Sequence, residues 1–216
     1  MISKAYSDFF SSLEGNNNKE WFNDNKKVYE KEVKIPFLKL VTELIDAIGQ
    51  WDQRIDLDPK KTLFRINRDI RFSKDKSPYN TIMKAAIAPG GRKSGLPGYY
   101  LGISADTIHI GGGQFDLDSA TLAKLRNYLA ENYDELISIL DSADFKKHYS
   151  GLQGDKVTRL SGDLKEKAQE MPLLLHKQYY AMEKITDSKK YSDKHLVNAI
   201  RSVKPMVALL ERGIKS

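Results

Sequence analysis

Between residues 62 and 111 the chain changes its periodicity, and that change limits the fold more than any other feature. Up to residue 50, Trp21, Val28, Phe37, Val41, Leu44, Ile45 and Ile48 recur at helical spacing. Then come short runs rich in β-branched and aromatic residues: TLFRINRDIRF at 62–72, TIMKAAIA at 81–88, and GYYLGIS and TIHIGGG on either side of Ala105-Asp106. The Gly- and Pro-rich PGGRKSGLPG, 89–98, separates the second run from the third. Connections this short join antiparallel strands, because a parallel pair needs a crossover of about a dozen residues or more.

Helical patterning returns when Asp118 or Ser119 caps a helix with Leu122, Leu125 and Leu129 on one face. Asn132 breaks it, and a shorter helix follows through Leu136, Ile137 and Leu140. Residues 150–172 are polar and weakly patterned and read mostly as loop. HKQYYAMEKI, 176–185, reads as one more strand, and a final helix capped by Ser192 is expected to bend or break near Pro205. At the other end, Asn17 is expected to cap the first helix, with Glu20 completing a capping box. Pro36 should kink that helix or start a second one. Strands in the middle with helices at both ends predict an α+β fold, a single mainly antiparallel sheet with the N- and C-terminal helices packed on one face. The 216 residues suit a single domain, 1–216: helical over 1–52, sheet-rich over 60–116, helical over 117–150, then loop, strand and helix over 151–216.

Composition removes several functional classes. With no cysteine there is no disulfide, thiolate nucleophile or cysteine-based zinc site. The N-terminal stretch has no apolar signal region and no apolar run nears a membrane span, so a cytoplasmic protein without a membrane partner is expected. A net charge of +6 and a pI of about 9.2 permit a polyanionic partner.

The charge is densest in FRINRDIRFSKDKSPYN, 64–80, which holds Arg65, Arg68, Arg71, Lys74 and Lys76. Read as a regular strand, one face carries Leu63, Arg65, Asn67, Asp69 and Arg71, and the other Phe64, Ile66, Arg68, Ile70 and Phe72. Arg68 on the apolar face then needs a carboxylate, with Glu43, Asp69, Glu183 and Asp116 as candidates, or a bulge that turns it outward. Arg65 and Arg71 would lie about 20 Å apart on an ideal strand, too far to grip one phosphate together. An array of that length suits an extended or multiply charged ligand, and Arg is the side chain fitted to bidentate contact with phosphate or carboxylate.

NNNKEWF near the start, this central motif, and GYYLGIS after the Gly-rich loop resemble a widespread bacterial and fungal family of conserved hypothetical proteins, classed as a domain of unknown function. The motif, of the form F-R-x-x-R-D-x-R-F-x-x-D-K-x-P-Y, maps onto Phe64, Arg65, Arg68, Asp69, Arg71, Phe72, Asp75, Lys76, Pro78 and Tyr79. The resemblance covers most of residues 8–150 and weakens beyond. There the chain has LSGDLKEKAQEMP in place of a Pro-Gly-aromatic stretch. It implies a fold and a candidate site, and no activity.

Other motifs are weaker. PGGRKSGLPG lacks the Gly before Lys-Ser of a phosphate loop and precedes a strand rather than a helix, yet its Arg92 and Lys93 could contact an anion. Gly111, Gly112 and Gly113 do not continue into a dinucleotide fingerprint; they suit a close approach of backbone to a neighbour or ligand. The histidines lack metal-site spacing, and His109 with Asp106 and Asp116 is the grouping closest to one; no metal and no cofactor are expected.

Two functions are consistent with these residues. The first is a binding module for an anionic ligand, a phosphorylated small molecule or single-stranded nucleic acid, on a cationic sheet face. Arg65, Arg68, Arg71, Lys76, Arg92 and Lys93 would carry it, with Tyr100 and Tyr180 as stacking residues. The second is an enzyme acting on a phosphorylated or carboxylated small molecule, with Asp69 as acid–base group. The first needs an open surface; the second needs a concave pocket holding a carboxylate of shifted pKa. A purely structural motif, its charges paired internally, is the third possibility.

Overall fold

A computed structural model describes residues 3–186 and 192–216. It consists of helices and a single four-stranded antiparallel sheet, ordered β1 (Met83–Ile87), β2 (Gly98–Ile103), β3 (Ile108–Gln114), β4 (Tyr179–Ile185). The α+β class follows directly. Among the described residues no helix is long and apolar enough to cross a membrane. The chain divides into two compact units. The first comprises residues 1–92, 100–109 and 184–197; the second comprises residues 93–99, 110–183 and 198–216.

The first unit opens with α1 (Lys4–Gly15), capped by the Ser3 hydroxyl, which accepts the Tyr6 N–H. The sequence pattern places the first helix later, after Asn17, and misses this one. Yet Tyr6, Phe9, Phe10 and Leu13 have helical spacing and are all buried. In α2 (Lys19–Asp24) the cap is Asn18, whose side chain accepts the Trp21 N–H. The expected capping box is therefore not formed. Asn17 does something else: its amide donates to the Tyr79 carbonyl at 2.9 Å and accepts the Tyr79 N–H at 3.0 Å, pairing with that residue as a strand would.

A short α3 (Lys26–Val28) runs into a π-helical turn, Tyr29–Lys34, and then α4 (Ile35–Gly49). Pro36 stands in the first turn of α4, so a second α-helix starts there, as one of the two sequence expectations had it, although the π-turn keeps the chain helical into it. The proline lacks an N–H, and just before it the Ile35 N–H bonds to the Glu30 carbonyl five residues back. The wider turn keeps the chain helical where an α-turn would set the proline ring against a carbonyl. Phe37, Leu40, Val41, Leu44, Ile45 and Ile48 form the buried stripe of α4.

The segment 62–72 is not the continuous strand that the sequence predicts. It makes isolated antiparallel bridges, Leu63 to Ala85 and Asn67 to Tyr79. Four steps on one side thus match six on the other, and the two extra residues between Tyr79 and Ala85 interrupt the ladder. Strict alternation is lost with it. Phe72, placed on the apolar face by a regular strand, is 95% exposed. Arg68 is half-buried and pairs with Asp75, rather than with Glu43, Asp69, Glu183 or Asp116. The cationic sheet face is therefore replaced by an irregular segment, paired at its root and looped at its tip.

In the second unit α5 (Ser119–Glu131), α6 (Tyr133–Asp141) and α7 (Ala143–Lys146) supply Leu125, Leu129, Leu136 and Phe145 to the core. Asp118 caps α5 and Asn132 separates it from α6, as expected. An unanticipated helix, α8 (Leu164–Glu170), lies in the stretch read as loop; only Ala168 of it is buried, so it has no apolar period to read. The last helix, α9 (Asp193–Lys215), contains Pro205 without interruption, and the Ser192 hydroxyl accepts the His195 N–H at its start.

The glycines of β3 have a structural reason. A Cβ at Gly111 would stand 2.0 Å from the Ala181 carbonyl oxygen, and one at Gly113 2.2 Å from that of Tyr179. Gly113 also has φ +135°, a conformation that side chains disfavour. The backbone they approach is β4, not a ligand.

Candidate functional site

The first unit contains a cavity of about 520 Å³. One wall is helical: Phe22 and Asn23 of α2, Lys26 of α3, and Tyr29, Glu30 and Lys34 of the π-turn. The other is the root of the Arg-rich segment, Leu63 to Asn67, with Tyr79, Met83 and Arg92. Both walls follow from local structure already described. The π-turn re-aims Tyr29, Glu30 and Lys34 relative to a regular helix, and π-turns recur at functional sites. The interrupted ladder leaves consecutive residues 63–67 all lining the cavity, which a pleated strand would send to alternate faces.

Aromatic rings form part of the lining. Phe22 and Tyr79 stack at 3.9 Å and 14°, so each covers a face of the other. Phe64 is half-buried and lies beneath two cations, with Arg92 Cζ 5.4 Å and Lys84 Nζ 5.9 Å from its centroid. Burial, with the nearby Glu30 charge adding to it, pushes the Tyr29 phenol up to about 12, so it stays a neutral donor; it points at Met83 Sδ, 3.6 Å away.

The charges are one-sided. Lys26, Lys34, Arg65 and Arg92 face a single carboxylate, Glu30, and that one is held by Lys34 at 2.8 Å. Among the described residues Lys26, Arg65 and Arg92 form no salt bridge, and Arg65 acts on Asp69 only through its field. Just outside the lining, burial and then the Arg68 charge hold the Lys84 ammonium below its usual range.

Of the ligand-binding candidates chosen from sequence, Arg65 and Arg92 line this cavity and the others do not, while Phe64 and Tyr79 of the central motif line it too. Arg68 pairs with Asp75, and Lys76 donates to the Ile70 carbonyl at 3.0 Å. Arg71 grips Asp69 with two hydrogen bonds, 2.9 and 2.7 Å, and this holds the Asp69 carboxyl below the usual range. Tyr100 is half-buried, its phenol pushed to about 12 by burial. Lys93 and Tyr180 belong to the second unit, where Tyr180 stacks on Phe115 at 3.9 Å. Asp106 is engaged by the Ser104 and Thr107 hydroxyls, and His109 is half-buried with its pKa lowered by burial and then by Lys184.

Sequence reasoning missed Lys26, Tyr29, Lys34 and Phe64 as site residues. Charge as dense as that of NDNKKVYEKEVK, 23–34, normally marks the solvated face of a helix, and only the π-turn next to Pro36 distinguishes this one. Phe64 reads as ordinary core.

No curated protein and no solved structure matches the chain. A family model does, and it runs over residues 5–211, well past residue 150, where the motif resemblance weakens. With nearly its whole length matched, the chain belongs to the family of conserved hypothetical proteins described as DUF2461.

Proposed function

We propose that the cavity of the first unit binds a phosphorylated small molecule with a flat or apolar body, and that the protein is a binding module for it. One observation carries this reading: three cations outside any salt bridge among the described residues, Lys26, Arg65 and Arg92, line one concave site together with aromatic rings. Cations gathered without counter-charge repel one another, and an anion relieves that repulsion. Two guanidinium groups supply the planar donors that phosphate oxygens accept. A volume of about 520 Å³ is within the range of small-molecule sites.

The enzymatic reading has less support. It relies on Asp69, but that carboxylate already accepts from Arg71 and is held ionised, the wrong state for a proton donor near neutrality. The cavity also favours a small ligand over a polynucleotide, since its cations line one concavity of about 520 Å³ rather than mark out a track.

Calorimetric titration with phenyl phosphate, inorganic phosphate and phenol tests the proposal. Phenyl phosphate should bind more tightly than either fragment. Arg65→Ala should weaken it about tenfold or more, as removal of a charged hydrogen bond does. Arg71→Ala, which takes the same charge from a residue engaged elsewhere, should leave affinity unchanged. Equal losses from the two variants, or no binding of any probe, overturn the proposal.

A further inference from the structure

The tip of the Arg-rich segment adds nothing to the cavity, yet several polar interactions fix its shape. Arg71 is clamped by Asp69, and Arg68 by Asp75. Asp75 also accepts the Ser77 N–H at 2.9 Å. The Ile70 carbonyl takes both Lys76 Nζ at 3.0 Å and the Ser73 N–H at 3.3 Å. Within this fixed loop Phe72 is 95% exposed, the most exposed large apolar residue described. Arg71 Cζ lies 5.8 Å from its ring centroid, and Lys74 has neither a hydrogen bond nor an ion pair among the described residues. Single apolar residues on a surface are common. A bare aromatic ring at the tip of a loop whose course is set by several polar contacts, with cations beside the ring, is a narrower arrangement.

We infer that Phe72, with Arg71 and Lys74, is a stacking finger for single-stranded nucleic acid. Every base offers a π-face to an aromatic ring without regard to sequence, and the neighbouring cations meet the phosphates. Residues 65–76 carry five cations against two carboxylates, and the chain as a whole is +6. An anionic bilayer fits less well. Only one apolar side chain would enter it, and Asp69 and Asp75, three residues to either side, would be pressed against like charge. This inference does not rest on the cavity.

Fluorescence anisotropy with labelled oligothymidylate at low salt tests it on the full-length protein. Phe72→Ala should weaken binding about tenfold, the size of one base–aromatic stack, and Phe72→Trp should retain it. Replacing Arg71 and Lys74 with Ala should lower the slope of log affinity against log salt by about 0.7 for each phosphate no longer neutralised. The same charge removed at Lys194 and Arg201, exposed on α9, should change the slope less. Phenyl phosphate binding should be untouched by Phe72→Ala, which separates this inference from the cavity. The inference is overturned if Phe72→Ala binds like the wild type, or if the Lys194 and Arg201 changes weaken binding as much. It is also overturned if phosphatidylserine vesicles, and not the oligonucleotide, are captured in a Phe72-dependent way.

Discussion

The root of the Arg-rich segment and the glycine run of β3 make opposite use of space. Around Arg65 the chain leaves a cavity of about 520 Å³ and lines it with cations; at Gly111 and Gly113 it removes every side-chain atom so that two backbones can meet. Both stretches stand out in the sequence. Their difference teaches that an unusual composition marks a constraint, and that the constraint can be the lining of a cavity or simply a neighbouring strand.

The largest effect that would sharpen this contrast is at the glycines. Gly111→Ala places a methyl group 2.0 Å from a carbonyl oxygen of β4, and neither backbone can yield without losing ladder hydrogen bonds. A loss on the order of 3 kcal/mol or more is expected in chemical denaturation. A near-wild-type midpoint would show that the strands part easily there and that the glycines serve something other than packing. Next is Asn17→Ala. It removes both hydrogen bonds to Tyr79 and frees the end of the segment that carries the cavity wall. A cost of about 1–2 kcal/mol is expected, with weaker phenyl phosphate binding alongside. Unchanged stability would mean that the bridge to Asn67 and the aromatic stack on Phe22 hold Tyr79 without Asn17.

Smaller again is Arg68→Ala. A regular strand would have made Arg68 a buried charge whose loss is severe, but its partner Asp75 is 60% exposed. Screening by solvent leaves such a pair little net worth, so the denaturation midpoint should move less than for Asn17→Ala. A larger shift would restore a structural role for the motif's charges.

The smallest effect is in pH dependence, and it belongs chiefly to the second unit. His176 is buried, and burial, followed by the Lys156 charge, lowers its pKa, an effect opposed in part by the backbone of Gln153 and Gly154. The unfolded chain therefore takes up this proton first, near pH 6.5. Stability is full above that value and declines as pH falls from it toward the lowered folded pKa. Thermal melts between about pH 7.5 and 5 should show the decline. His176→Gln should flatten part of it, with His109 of the first unit contributing the same sign. A profile identical in wild type and variant would remove His176 from the account.

Much of the molecule is legible in its sequence. The helical stripe of α4, the hairpin around Ala105-Asp106, the Asp118 and Ser192 caps and the α+β order all come from local periodicity and turn chemistry, which act between residues a few positions apart. The site is half legible: Arg65 and Arg92 can be picked out by type, but not Lys26, Lys34 or Phe64. Whether a cation points at a ligand, at a carboxylate or at water depends on what arrives from elsewhere in the chain.

The sequence by itself therefore determined most of the elements and where charge concentrates, because propensity, capping and hydrophobic period are local. Only the tertiary structure decided that four steps from Leu63 to Asn67 face six from Tyr79 to Ala85, so that a predicted strand became a cavity wall and an outward loop. It alone decided that Asn17, 62 residues away, would pair with Tyr79 instead of capping a helix. Register and long-range pairing follow from how the whole chain closes its hydrogen bonds and fills its core, and no window of neighbouring residues contains that information.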